Sequence, residues 1–292
     1  MNNTKKKSPI SWVPTAYFAM GLPFVVLNMV TVLMFKGLEV DDKLITFWTS
    51  LILLPWTLKP LWSPFLELFR TKKFFVIVTQ LITGVTFGLV AFALNLSHFF
   101  SISIALLAIV AFSGATHDIA CDGVYMSELS NEDQAKFIGW QGAFYNIAKI
   151  LATGGLVYLA GYFIELNADA GLLTANKRAW MIILLILSVT MILLGIYHLF
   201  ALPSTQSASS RKTLRSNKEV MKELGQVLMD FFRKTHITYY ICFIILYRFA
   251  EGFVMKIVPL FLKADREMGG LGLNEKEIGL YYGTYGAAAF VL

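Results

Sequence analysis

The chain has 292 residues, 57% of them hydrophobic and only 15% charged, with a mean hydropathy of +0.63. That balance excludes an ordinary soluble domain: a membrane-spanning helix needs about 20 apolar residues, and roughly eight such helices fill the length. The net charge of +6 is gathered in a few loops, which reads as membrane orientation and argues against a nucleic-acid surface.

In chain order, hydropathy predicts spans at about 10–35, 44–69, 74–94, 100–126, 137–164, 179–202 and 237–262, with an eighth starting near Glu277. The triplet Lys5-Lys6-Lys7 precedes a stretch too long for a signal peptide and without a small-residue cleavage site, so the first span is expected to be retained. Residues 286–292 are still apolar, and the chain is read as a fragment stopping inside its eighth helix. Cys121 and Cys242 lie inside apolar segments and suggest neither a disulfide framework nor a zinc site. Lys5, Lys6, Lys7, Arg70, Lys72, Lys73, Lys136 and the basic residues of 211–234 fall on one side, about twice as many as on the other. The amino terminus is therefore expected in the cytoplasm.

One segment interrupts the rhythm of spans. Residues 203–217 are rich in Ser, Thr and Gln, and 218–234 then places Val220, Leu224, Val227, Leu228 and Phe231 at helical spacing, as in an amphipathic surface helix. The expected organisation is an amino-terminal six-helix half (1–202), a cytoplasmic linker (203–236) and the start of a second half (237–292). Two six-helix halves alternating access around a site between them is the layout of many transporters.

Charges inside spanning helices cost about 2.5–3.5 kcal/mol on insertion scales and normally face a cavity or a partner. Lys59, Lys149, Arg248 and Lys256 stand against Glu67, Asp118, Asp122 and Glu251. In Ala115-Thr116-His117-Asp118-Ile119-Ala120-Cys121-Asp122-Gly123 the two carboxylates are spaced i, i+4 and share a helix face, with Gly114 and Ala115 one turn earlier leaving that face sterically open. Two close carboxylates resist ionising together, so the pair is suited to carry a proton. Asp122 alternatively latches the inner loop through Arg70 or Lys73. His117 points about 100° away and reads as a packed or hydrogen-bonded residue.

Arg248 and Glu251 sit i, i+3 near mid-membrane beside Gly252, as a coupling or binding pair or a self-neutralising structural one, while Lys256 is expected to snorkel outward. Gln141, Tyr145 and Lys149, with Asn146 and Thr153 beside them, form a polar stripe expected to line a watery cavity. Amides, a phenol and an ammonium suit a polar ligand bearing hydroxyl, amide and carboxylate groups; the alternative is polar glue between helices. No metal-ligand cluster or nucleophile–histidine arrangement appears, so neither an enzyme nor a cofactor is expected.

The segment Leu58-Lys59-Pro60-Leu61-Trp62-Ser63-Pro64-Phe65-Leu66-Glu67, followed by Arg70, Lys72 and Lys73, resembles the loop between spans two and three of the major facilitator superfamily. Its Lys-x-Leu-Trp-Ser-Pro form is similar to the AmpG-type muropeptide permeases and their acetyl-coenzyme A transporter relatives. Gly21-Leu22-Pro23, Thr79-Gln80, the stretch 115–122 and Leu246-Tyr247-Arg248-Phe249-Ala250-Glu251-Gly252-Phe253 resemble the same family. The resemblance implies an all-α membrane protein: a major facilitator bundle with its amino-terminal six-helix half, helix 7 and part of helix 8.

It further implies import of N-acetylglucosaminyl-anhydro-N-acetylmuramyl sugar-peptides by proton symport across a bacterial inner membrane, by a monomer. Asp118, Asp122 and Glu251 would be the coupling acids, and Gln141, Tyr145, Asn146, Lys149 and Arg248 the ligand contacts. Lys59, Glu67, Arg70 and Lys73 would form the inner gate. Glu251 stands where the family carries Asp, and His117 where an amide is common. Transport of another anionic metabolite, an acyl-coenzyme A or a siderophore, is the alternative within the fold; a membrane receptor without transport is the alternative outside it.

Overall fold

The computed structural model describes residues 7–63, 66, 71–203, 222, 225–226, 229–230, 232–286 and 289; at Arg248, Ala250 and Glu251 it describes the backbone alone. Six helices among these residues are long and apolar enough to cross a membrane: Pro9–Gly37, Asp42–Leu61, Lys72–Ala93, Phe99–Glu128, Asn131–Leu166 and Leu172–Ala201. They are called the first to sixth spans. The seventh helix is Ile237–Lys263, and an eighth begins at Glu275–Ile278 and continues as the π-helical Gly279–Tyr285. No strand occurs among the described residues.

Several starts follow from short polar residues that take up free helix amides. Asp41 accepts from the amides of Lys43 and Leu44, Thr71 from Phe74 and Ser130 from Asp133, while Asn274 and Glu277 close a capping box. Ser130 starts the fifth span several residues before the apolar pattern does. The sixth likewise starts at Leu172, after Gly171 at φ +83°, because a helix runs beyond the apolar stretch whose hydropathy marks it. The linker positions 204–221 and the amphipathic positions Val220, Leu224, Val227, Leu228 and Phe231 lie outside the described residues.

Three backbone irregularities matter later. The first span passes from α to π geometry over Val26–Val30, just after Pro23. The second breaks at Ile52 and Leu53, before Pro55, and tightens to a 3₁₀ turn at Lys59–Leu61. The fifth carries a π segment at Leu151–Leu156.

The end of the bundle holding Ser8 and Glu128 is here called proximal, and the end holding Gly37 and Lys263 distal. The third span packs between the fourth and the sixth, and the first packs on the fifth. The first span is the centre of the assembly, 89% buried along its apolar window, whereas the second is 22% buried. Apolar side chains form a large distal core that includes Phe35, Phe87, Leu107 and Trp180. A smaller proximal core is built on Trp12, Val13, Tyr17, Val124 and Phe137. Between the two lies a buried polar layer that includes Gln80, Ser113, His117 and Asp118.

Candidate functional site

The fourth span carries Asp118 into that layer at 8% exposure. Its Oδ2 accepts from Trp56 Nε1 at 2.9 Å and from Lys59 Nζ at 2.7 Å, both from the broken proximal half of the second span. Its Oδ1 is buried with no hydrogen-bond partner among the described residues. A buried carboxylate is tolerated when a cation and donors compensate its lost hydration. Here all the compensation falls on one oxygen, leaving the other available to a proton or a ligand donor.

The face expected to be sterically open is instead filled by Trp56, whose ring would lie 2.8 Å from a Cβ at Gly114 and packs edge-on against Phe24 at 5.3 Å. Gly114 thus provides room for an indole and for the hydrogen bond it makes.

Asp122, one turn nearer the proximal end and exposed, accepts from Tyr17 Oη of the first span at 2.8 Å; Tyr17 also meets Tyr125 edge-on. The two acids share a face, as their spacing requires, but they engage different helices. Lys73 donates to Leu202 O at 2.8 Å, and Lys7 to Phe200 O at 2.8 Å, so both cations cap the carboxyl end of the sixth span, where the helix dipole favours positive charge. Glu67 and Arg70 lie outside the described residues, as do the side chains of Arg248 and Glu251. Gly252 has open space around its Cα.

The fifth-span stripe divides. Tyr145 packs towards the first span, its carbonyl and ring closing on Gly21, while Gln141 is half-buried and Asn146 and Lys149 are exposed. Asn146 Nδ2 donates to Gly142 O at 2.9 Å, and the Lys149 ammonium has no partner among the described residues. Nearer the proximal end of the same helix, Ile138 and Trp140 are also exposed.

Behind Asp118 runs a buried chain that sequence reasoning did not assemble. Gln80 Nε2 donates to His117 Nε2 at 2.9 Å, His198 Nδ1 donates to Gln80 Oε1 at 2.9 Å, and Thr15 Oγ1 lies 2.9 Å from His198 Nε2. This assignment leaves both imidazoles neutral, each with one accepting nitrogen. Four spans are thereby linked through three nearly inaccessible side chains. The available signal was the set of amide and imidazole groups inside apolar segments, which need partners. Tyr17 and Trp56 were also missed, since their aromatic character alone reads as packing.

Spans five and eight approach through glycines. A Cβ at Gly161 would collide with the backbone of Lys276, and one at Gly283 with Thr153 and Gly154. At the distal end Lys276 pairs with Glu165 at 2.9 Å, Lys263 pairs with Glu275, and Lys36 pairs with Asp42 at 2.8 Å. Along the proximal part of the seventh helix, Tyr240, Phe243, Leu246 and Tyr247 are exposed. Lys256, expected to snorkel, is instead 6% exposed, because the second and first spans offer it carbonyls at depth. Among the described residues no group of three or more His, Cys, Asp or Glu side chains could hold a metal ion.

Comparison with known proteins agrees with this architecture. The family model described as Major Facilitator Superfamily matches residues 15–292. A bacterial homologue of the human lysosomal transporter Spinster, solved in an inward-facing and unoccupied conformation, is similar with a TM-score of 0.66 at 14% identity. The match covers 99% of this chain and 61% of that one, so this chain spans about three fifths of that transporter's length. No curated protein matches the sequence.

Proposed function

The chain belongs to the Major Facilitator Superfamily, and from that premise we propose that it forms part of a secondary active transporter importing cell-wall muropeptides by proton symport. Coupling rests on Asp118: a buried carboxylate with Lys59 and Trp56 on one oxygen and no described group bonded to the other is suited to bind and release a proton or a ligand donor. Asp122 and, on the seventh helix, Glu251 are the further acids of this reading. Its units are an amino-terminal half (1–202), a linker (203–236) and the start of the second half (237–292), in a monomer of a bacterial inner membrane with the amino terminus in the cytoplasm.

The substrate class follows from the motif resemblance at 58–67 and 246–253, and the site chemistry supports it. The half-buried Gln141 and the exposed Asn146 and Lys149 present two amides and an ammonium with no partner among the described residues, with Tyr145 beside them and Arg248 on the seventh helix. Those groups suit sugar hydroxyls, acetamido groups and a carboxylate. Closure at the distal end, with exposed polar groups towards the proximal end, supports a cytoplasm-open conformer. Lys59, Lys73, Glu67 and Arg70 would then border its mouth.

The test is uptake of labelled anhydromuropeptide by proteoliposomes of the full-length protein, with and without an inward proton gradient. We expect gradient-dependent uptake that Asp118→Asn and Glu251→Gln abolish without loss of folded protein. Folded protein that takes up no cell-wall fragment rejects the substrate class, and acyl-coenzyme A compounds and siderophores become the next ligands to test. Uptake that ignores the gradient rejects proton coupling.

A further inference from the structure

Lys256 lies in the distal half of the seventh helix at 6% exposure, with no carboxylate in ion-pair range among the described residues. Its Nζ faces three backbone carbonyls of other helices: Asn28 O at 3.2 Å, Thr49 O at 3.4 Å and Leu27 O at 3.5 Å. An ammonium has three N–H donors and no acceptor, so three carbonyls match its full capacity.

Two of these carbonyls, Leu27 O and Thr49 O, lack their ordinary helix amide because two helices are irregular at one level. In the first span the π segment sends the amide of Thr31 to Val26 O, five residues back. Leu27 O therefore loses the amide that a regular α-helix would give it, and accepts from Thr31 Oγ1 instead. In the second span the amide of Leu53 bonds Ser50 O, which leaves Thr49 O without its usual i+4 donor at the break. Carbonyls deprived of their helix amide at membrane depth are costly, and a cation among them is compensated in turn. Each irregularity alone would be a defect; together they make a pocket of negative potential aimed at the seventh helix.

We propose that Leu27 O, Asn28 O and Thr49 O form a monovalent-cation site that the Lys256 ammonium occupies as a tethered ligand, and that this occupancy is the latch holding the seventh helix on the first two spans at the distal end. Opening there withdraws Lys256 and leaves the carbonyls to water or to a small cation of the solution. The latch is distinct from the largely buried ion pair Lys263–Glu275 and the exposed pair Lys276–Glu165, which join the eighth helix to the seventh and the fifth. It is also independent of the substrate and of proton coupling.

The experiment measures a distance and not uptake. Spin labels are placed at Leu44→Cys and Met268→Cys, both exposed at the distal end, in the full-length protein with Cys242 replaced and reconstituted in nanodiscs. In the Lys256 background the short distance should dominate. Lys256→Met keeps the apolar stem and removes the charge, and should raise the ratio of separated to closed molecules by roughly tenfold, the scale of lost hydrogen bonds to a charged group. Lys256→Ala should do the same, and added propylammonium should restore its short distance but leave Lys256→Met unchanged. A Lys256→Met distribution equal to that of the parent overturns the proposal, as does a folded Lys256→Ala protein that propylammonium leaves open.

Discussion

Asp118 has its two oxygens in different surroundings, and that asymmetry is fixed by residues that carry no charge as well as by Lys59. Trp56 can donate to Oδ2 only because position 114 is glycine. Adding a side chain there meets an indole 2.8 Å away, too close for either group to stay in place. Gly114→Val should therefore displace Trp56, lower stability by about 1–3 kcal/mol, and shift the Trp56 emission to longer wavelength in a difference spectrum against Trp56→Phe. An unchanged emission with unchanged thermal unfolding would show that the indole has another seat. Gln80 is the second decisive residue, since its one amide serves two imidazoles. Gln80→Leu leaves an accepting nitrogen on His117 and a donating one on His198 unpaired in an apolar interior, and should cost about 3 kcal/mol by thermal unfolding. Adding His117→Phe to that variant should recover part of the loss, because one stranded group is then gone.

Among the elements, irregular helices carry most of what distinguishes this bundle from a set of apolar rods. The π segments at Val26–Val30, Leu151–Leu156 and Gly279–Tyr285 and the broken second span all fall where the first, second and fifth spans meet the seventh and eighth helices. The fifth and eighth helices approach backbone to backbone through Gly154, Gly161, Gly279 and Gly283. Close contact through glycine suits association in lipid, where apolar side chains gain little from leaving one hydrocarbon for another. The fifth span serves two surfaces: its distal part packs on the eighth helix, and its proximal part displays Asn146 and Lys149. Cysteines introduced at these two positions should react with a membrane-impermeant maleimide added from the proximal side of oriented proteoliposomes, and not from the distal side. Equal labelling from both sides would contradict a distal closure.

At the scale of the molecule, a distal end held by ion pairs and an exposed proximal face describe, on the proposed transport reading, one state of an alternating cycle. The spans were legible in the sequence because twenty-residue apolar runs have little alternative in lipid, and the caps at Asp41, Thr71, Ser130 and Asn274 are local chemistry. Asp118 was legible as a residue needing a partner, from the cost of a charge in hydrocarbon, and so was the shared helix face of Asp118 and Asp122, from their spacing. Its partners were not, since Lys59 and Trp56 lie some sixty residues away in sequence. Lys256 shows the same division: composition placed a cation near a helix end and made an outward-reaching chain the expectation. What the sequence by itself determined here is the class of protein, the order of its helices and the residues too costly to leave unpaired. Which groups pair, which face is filled by Trp56 and which carbonyls receive Lys256 depended on backbone irregularities and distant helices meeting at one depth, and only the tertiary structure brings those together.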